Sequence, residues 1–259
     1  MPDFLLNLAV SAGAVVVLLA LVFAISVRRD RHDLIDVFWG FGFAVVAAVS
    51  LVMAGDPKIL ISLLTVVWGL RLAGHIALRN RGKPEDPRYV AIRKRAKGNP
   101  NLHLVKVVYL TQGLLLLFVS LPVQVAQYIP APPAWLLIVG TLVWLAGFVF
   151  ETVGDWQLSR FKADPANKGR VMSTGLWRYT RHPNYFGDAA VWWGIFLLAC
   201  ANWAGISTVL APIVMTWLLA NGSGKPLTER HMKKSRPDYA DYIERTSGFF
   251  PLPPRPAKR

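Results

Sequence analysis

Between Gly175 and Asp188 the chain reads Gly-Leu-Trp-Arg-Tyr-Thr-Arg-His-Pro-Asn-Tyr-Phe-Gly-Asp. Two Arg, a His, an Asn, an Asp and two Tyr therefore stand at the start of an apolar run. Pro183 suits the first turn of a helix, where its missing N–H costs nothing. Asn184 and Asp188 then share one helical face, four residues apart. Free N–H groups and the dipole at such a helix start favour an anion. Arg178 and Arg181 would add charge-assisted contacts to a phosphate, while Asp188 suits a ribose hydroxyl or an amide. Taken singly, Arg178 and Arg181 read as ordinary basic flanks and His182 as an interfacial histidine. Taken as one dense block with Tyr179, they read as a ligand site.

A second set of chemical groups lies inside apolar runs, where ionisable residues are costly and mark function by default. These are Asp36, Arg71, His75, Glu151, Asp155 and Asp188. Glu151, Asp155, Ser159 and Lys162 follow one helical face, as do Trp68, Arg71, His75 and Arg79. Carboxylates ending in bases make a poor lipid face and a good wall for a polar cavity. Interfacial snorkelling is the plainer reading for those near a helix end. The partner of Arg71 would be Glu151, Asp155 or Asp36. Tyr109 and Gln112, three apart, read either as interhelical hydrogen bonds or as part of the same chemistry.

The elements that must position these groups are membrane helices. Of 259 residues, 54% are hydrophobic and 17% charged, with a mean hydropathy of +0.38. Soluble domains carry about a quarter charged residues. Apolar runs fall near Phe4–Val27, Leu34–Ala54, Lys58–Leu78, Leu104–Tyr128, Ala134–Trp156, Pro183–Ala201 and Ala204–Ala220. Each approaches the roughly 20 residues that cross a hydrocarbon core. The first lacks a basic leader and reads as a retained helix rather than a cleaved signal. Of the 29 Lys and Arg, 27 fall in segments that share one side if there are seven spans. By the positive-inside rule that side is cytoplasmic and the N-terminus is outside. The expected fold is an all-α, seven-transmembrane bundle forming one domain, with residues 1–130 as a substrate half and 131–259 as a cofactor half. After the last span, a short amphipathic helix is expected over Pro226–Arg245.

The net charge of +14 fits anionic lipid headgroups as a partner, with some bases left for an anionic cofactor. Nucleic acid is not expected, because the bases sit in short loops against a membrane. Cys200 is the sole cysteine, so a zinc-thiolate cluster and an internal disulfide are excluded, and no metal site is expected.

The Gly175–Asp188 block resembles a signature shared by steroid 5α-reductases, sterol C14 and Δ7 reductases and isoprenylcysteine carboxyl methyltransferases. Asp188 stands where Glu is usual. Asp36-Val37-Phe38-Trp39-Gly40-Phe41-Gly42-Phe43, Trp68-Gly69-Leu70-Arg71-Leu72 with His75, and Tyr109-Leu110-Thr111-Gln112-Gly113 resemble the bacterial DUF1295 family, itself similar to the steroid 5α-reductase C-terminal domain. Asn80-Arg81-Gly82-Lys83-Pro84 is similar to a motif after the third span of those reductases. The resemblance implies a reductase of a bacterial cytoplasmic membrane, with NADPH as cofactor and a hydrophobic enone as substrate. It implies that Glu151, Asp155, Arg160, Lys162, Arg170, Tyr179, Arg181, His182, Asn184, Asp188 and His231 serve the cofactor. It implies that Trp39, Trp68, Arg71, His75 and Gln112 line the substrate. Asp36 is the nearest match to the reductases' acid, and Gly69 stands where their Tyr would lie, so Tyr109 is the substitute by position. A negative charge developing on a carbonyl oxygen needs such a donor in a dry site.

Two other readings stand beside this one. The tail, Leu227-Thr228-Glu229-Arg230 and Asp238-Tyr239-Ala240-Asp241-Tyr242, resembles that of S-adenosylmethionine-dependent methyltransferases. A proton-coupled transporter or a scaffold would account for the intramembrane carboxylates but not for the Arg-His-Pro-Asn-Tyr block.

Overall fold

A peptide group in hydrocarbon has no water to bond, so a long apolar segment closes its hydrogen bonds within itself, as helix. The computed structural model describes residues 2–222 and 224–256, and among them no β-strand forms. The first helices are α1 (Pro2–Arg29), α2 (Leu34–Met53) and α3 (Ile59–Asn80). A short polar helix, α4 (Pro87–Lys94), follows. The next run holds α5 (Pro100–Leu104), a π turn (Val105–Tyr109), α6 (Leu110–Val119) and α7 (Leu121–Ala126). Then come α8 (Ala134–Ala163), α9 (Pro183–Ala199), α10 (Trp203–Ile206), α11 (Leu210–Ala220), α12 (Lys225–Ser235) and α13 (Tyr239–Arg245).

Among the described residues, six helical runs are long and apolar enough to cross a membrane: Pro2–Arg29, Leu34–Met53, Ile59–Asn80, Pro100–Ala126, Ala134–Ala163 and Trp203–Ser235. The protein is a multi-pass membrane protein. The expected count of seven is not met on length, because α9 has 17 residues and spans about 25 Å against a hydrocarbon core of about 30 Å. The tail helix expected over Pro226–Arg245 is also two helices. Pro237 follows Arg236, whose extended backbone ends α12, as the residue before a proline favours.

The chain forms two compact units. One comprises residues up to Pro133 with Leu198–Thr208; the other comprises Ala134–Leu197 with Val209 onward. In the first unit Phe43, Val46, Ala47, Trp68, Leu116 and Val123 are fully buried. Helix α1 is inside-out: it buries Asn7, Ser11 and Ser26 and exposes Leu5, Val16, Val17 and Leu21. Lipid is as apolar as Leu, so polar groups rather than leucines drive this helix inward. Asn7 Nδ2 donates to Gln124 Oε1 at 3.3 Å, and Gln124 Nε2 donates to Ser120 Oγ at 3.0 Å. In the second unit Val191, Trp192, Ile195, Met215 and Trp144 form the buried core.

Glycine lets two helix pairs touch backbone to backbone. A Cβ on Gly40 of α2 would lie 2.5 Å from the Gly69 carbonyl oxygen of α3. In the second unit a Cβ on Gly147 of α8 would lie 2.6 Å from the Gly187 oxygen of α9. Neither neighbour can yield, because each is backbone. Gly69→Val should therefore cost about 1–3 kcal/mol or more by overpacking and lower the melting temperature in detergent. Gly74→Ala, with nothing within 4 Å of the new Cβ, should leave the melting temperature unchanged or raise it.

Candidate functional site

In the first unit the chemistry gathers on Asp36, near the start of α2. Tyr89 of α4 donates its hydroxyl to Asp36 Oδ1 at 2.5 Å, and Arg88 Nη2 reaches Asp36 Oδ2 at 2.9 Å. Local sequence dictates that α4 begins where it does. Asp86 caps it by accepting from the Arg88 N–H at 2.9 Å, and Pro87 occupies its first turn. Tyr89 is 4% exposed. Burial, and then the Asp36 carboxylate, push its phenol well above the usual value. It therefore stays protonated and remains a donor.

Beside this pair lies a dense ionic cluster. Arg93, one turn along α4 from Tyr89, pairs with both Asp30 and Glu85. Glu85 Oε1 also accepts from the His32 backbone N–H at 2.6 Å, and Arg31 donates to the Lys83 carbonyl at 2.8 Å. Asp30 sits at φ +48, the left-handed region that Asp tolerates better than most residues.

Tyr109 lies on the π turn, and its hydroxyl is 3.0 Å from His32 Nδ1. Phe23 meets the Tyr109 ring edge-on at 5.3 Å. His32 is 1% exposed, and burial lowers its pKa. Trp39, Phe43 and Trp68 form an aromatic chain, with centroids 5.2 and 5.5 Å apart. Arg71, His75 and Gln112 are half-buried on α3 and α6. Asp36 is thus committed to Arg88 and Tyr89, neither of which the sequence reading singled out. The missed signal for Tyr89 is Asp86-Pro87, a helix start directly before it. Gly69, at the position of the reductases' Tyr, serves helix packing.

In the second unit α8 and α9 bring Asp155 and Asn184 together, with Asn184 Nδ2 donating to Asp155 Oδ1 at 3.1 Å. Glu151, Asp155 and Asp188 are all buried. Gly175, at φ +61, clears room for Gln157, whose Oε1 accepts from the Leu176 N–H at 3.0 Å. Trp177 Nε1 donates to the Gly154 carbonyl at 3.1 Å.

Arg181 is buried and turned toward the tail rather than toward solvent. Its Nε meets Glu229 Oε1 at 2.9 Å, and its Nη1 donates to the carbonyls of Ile243 and Thr246. His182 Nε2 lies 3.2 Å from the same Glu229 oxygen, and its ring stacks on Tyr185 at 5.2 Å. Burial lowers the His182 pKa, against the pull of Glu229. The tail is tied to the block throughout. Tyr242 donates to the Trp177 carbonyl, Thr180 Oγ1 to Phe249 O at 2.8 Å, and the Leu252 N–H to Tyr179 O at 3.0 Å. Arg160, Lys162, Arg170, Arg178 and Tyr179 are exposed, with Arg160 5.3 Å from the Trp156 ring centre. The His231 side chain lies outside the described residues.

Two outcomes follow. Arg181→Ala leaves the Glu229 carboxylate buried without its cation, so it should destabilise the fold by about 3–5 kcal/mol in chemical denaturation. Replacing both partners, Arg181→Met with Glu229→Leu, should cost markedly less. For His32 the folded pKa lies below the unfolded value of about 6.5. As pH falls below that value, the unfolded chain takes up a proton the folded chain refuses, and stability is lost. The denaturation midpoint should fall between pH 7 and 5, and His32→Gln should flatten that slope.

The chain matches the model of a protein family of unknown function, DUF1295, over residues 22–246. It is 26% identical over 246 residues to the uncharacterized protein C594.04c of Schizosaccharomyces pombe, covering 83% of this chain and 67% of that protein. The yeast relative carries the likeness beyond bacteria. No solved structure matches the chain. With the family model spanning all but most of the first helix and the end of the tail, the chain belongs to the DUF1295 family, which is steroid 5α-reductase-like.

Proposed function

We propose that the protein is a membrane-embedded, NADPH-dependent reductase that saturates the conjugated double bond of a hydrophobic, steroid-, isoprenoid- or lipid-like enone. The observation that carries this reading is the bond between the buried Tyr89 and the half-buried Asp36. A phenol kept protonated by burial, held by a carboxylate and flanked by a guanidinium, is a donor for a developing enolate oxygen. The Tyr89 hydroxyl hydrogen, which bonds Asp36 in the resting site, would turn to a bound carbonyl oxygen and pass to it, leaving a phenolate beside Asp36. Arg88, 5.6 Å from the Tyr89 ring centre, offsets the charge left behind. Trp39, half-buried at the end of the aromatic chain, suits an apolar substrate drawn from the bilayer, with Arg71, His75 and Gln112 as its polar contacts. Phe43 and Trp68, the latter expected to line the substrate, are closed in the core behind it. The His32–Tyr109 contact offers a second phenol.

The residues of the second unit fit the cofactor in kind. Bound NADPH would supply the hydride. Asp155, Asn184, Asp188 and Glu151 would meet its hydroxyls and amide. Arg160, Lys162, Arg170 and Arg178, exposed and positive, would meet its phosphates, with Tyr179 and His231 beside them. Arg181 and His182, held by Glu229, would brace that surface. We take the basic segments to be cytoplasmic, against anionic headgroups, with α9 as a seventh span and the N-terminus outside.

One observation favours a second reading. Glu229 and Tyr242, which carry the methyltransferase-like part of the tail, bond directly to Arg181, His182 and Trp177. A methyltransferase would bind S-adenosylmethionine instead. Thermal shift of purified protein with NADPH, NADH and S-adenosylmethionine separates the two, since a ligand of the folded state raises its melting temperature by mass action. NADPH alone should stabilise; stabilisation by S-adenosylmethionine alone would overturn the reductase reading. Tyr89→Phe should keep the NADPH shift and lower enone reduction by about 10²–10⁴-fold.

A further inference from the structure

The donor of the Asp36–Tyr89 pair rides on a helix that cannot stand alone. Helix α4 has 8 residues, and its sequence, Pro-Arg-Tyr-Val-Ala-Ile-Arg-Lys, is polar. Isolated helices shorter than about 12–15 residues are marginal in water. What holds α4 is a set of tertiary bonds at both ends. At its start, Arg88 and Tyr89 reach Asp36. At its end, Arg93 pairs with Asp30, in the turn that closes α1, and with Glu85, which also holds the His32 backbone. The Arg93 side chain is 22% exposed and that of Glu85 is 7% exposed. Such a pair is costly to break from one side, because the remaining charge is left half-buried without its counter-ion. Asp30 is kept at positive φ in the turn that presents its carboxylate to Arg93, a conformation that costs energy unless the surroundings demand it.

We infer that Arg93, with Glu85 and Asp30, is the positioning residue that holds Tyr89 on Asp36, so that α4 is a donor-carrying arm fastened by an ionic clasp. The clasp acts on Tyr89 through one helical turn and touches no substrate itself. Its catalytic meaning rests on the reductase reading, but its geometry does not. With the clasp broken, α4 frays and the Tyr89 hydroxyl leaves the carboxylate, while α1, α2 and α3 remain packed through their own faces.

Two measurements test this without cofactor or substrate. Amide hydrogen exchange of the full chain in nanodiscs reads the arm. The ultraviolet phenolate titration of each protein, minus that of the same protein carrying Tyr89→Phe, reads Tyr89. Arg93→Gln should raise exchange across residues 87–94 at least tenfold and return the Tyr89 phenol toward its ordinary value. Arg93→Lys should restore both in part. Asp30→Asn and Glu85→Gln should each act in the direction of Arg93→Gln. Lys94→Gln, on the exposed side of the same helix, should change neither. The inference is overturned if Arg93→Gln leaves exchange and titration as in the parent chain. It is equally overturned if exchange rises alike through α1, α2 and α3, which would make Arg93 a general stabiliser. If NADPH gives no thermal shift while the arm loosens as stated, the reductase reading fails and the clasp stands.

Discussion

A polar group in the apolar layer has no solvent to fall back on and is turned away from lipid, toward the protein. That preference explains why α1 buries its amide and two of its hydroxyls and exposes most of its leucines and valines, the reverse of a soluble helix. It also explains why Arg181 cannot be a loosely held surface base. Its guanidinium is held by one carboxylate and two backbone carbonyls, and through it the end of the chain is drawn against the motif block. The same demand sets where glycine is needed. Helices that share polar contacts must approach closely, and at Gly40 with Gly69 and Gly147 with Gly187 no side chain separates the backbones.

The candidate site follows a different logic from the frame that carries it. The long helices are determined locally, by hydropathy and length. The short ones, α4, α12 and α13, have neither in sufficient measure, and ion pairs and hydrogen bonds to other elements decide their positions. Side chains on such elements are held by electrostatics, in half-buried surroundings where the dielectric is low enough for a charge pair to matter. Tyr89 and Glu229 are both of this kind.

This division also marks what could be read from the sequence. The apolar runs, their approximate ends and the breaks between them were legible, because each depends on some twenty neighbouring residues. The Gly175–Asp188 block was legible as a cluster. What Arg181 does within it was not, because its partner Glu229 lies 47 residues beyond His182 and 48 beyond Arg181 itself. Tyr89 went unremarked for the same reason: Asp36 is 53 residues away, and a single tyrosine in a basic segment carries no periodicity. Pro237, inside the expected tail helix, splits it in two, because the extended backbone of Arg236 before it ends α12. The short α9 also shows how a run of apolar letters extends past the residues that are helical, since Cys200 and Ala201 belong to the turn after it.

The buried bond between Asn7 and Gln124 has a consequence in time. The two residues are 117 positions apart. A ribosome adding about 5–20 residues per second therefore delivers the glutamine roughly 6–23 seconds after the asparagine. Throughout that interval α1 resides in the bilayer, or beside the insertion machinery, with its amide unmet by the glutamine that finally bonds it. Its strongly apolar outer face is what keeps it in the membrane while it waits. The first helix to enter is thus among the last to be completed, and early assembly of this protein is a problem of sheltering a polar stripe.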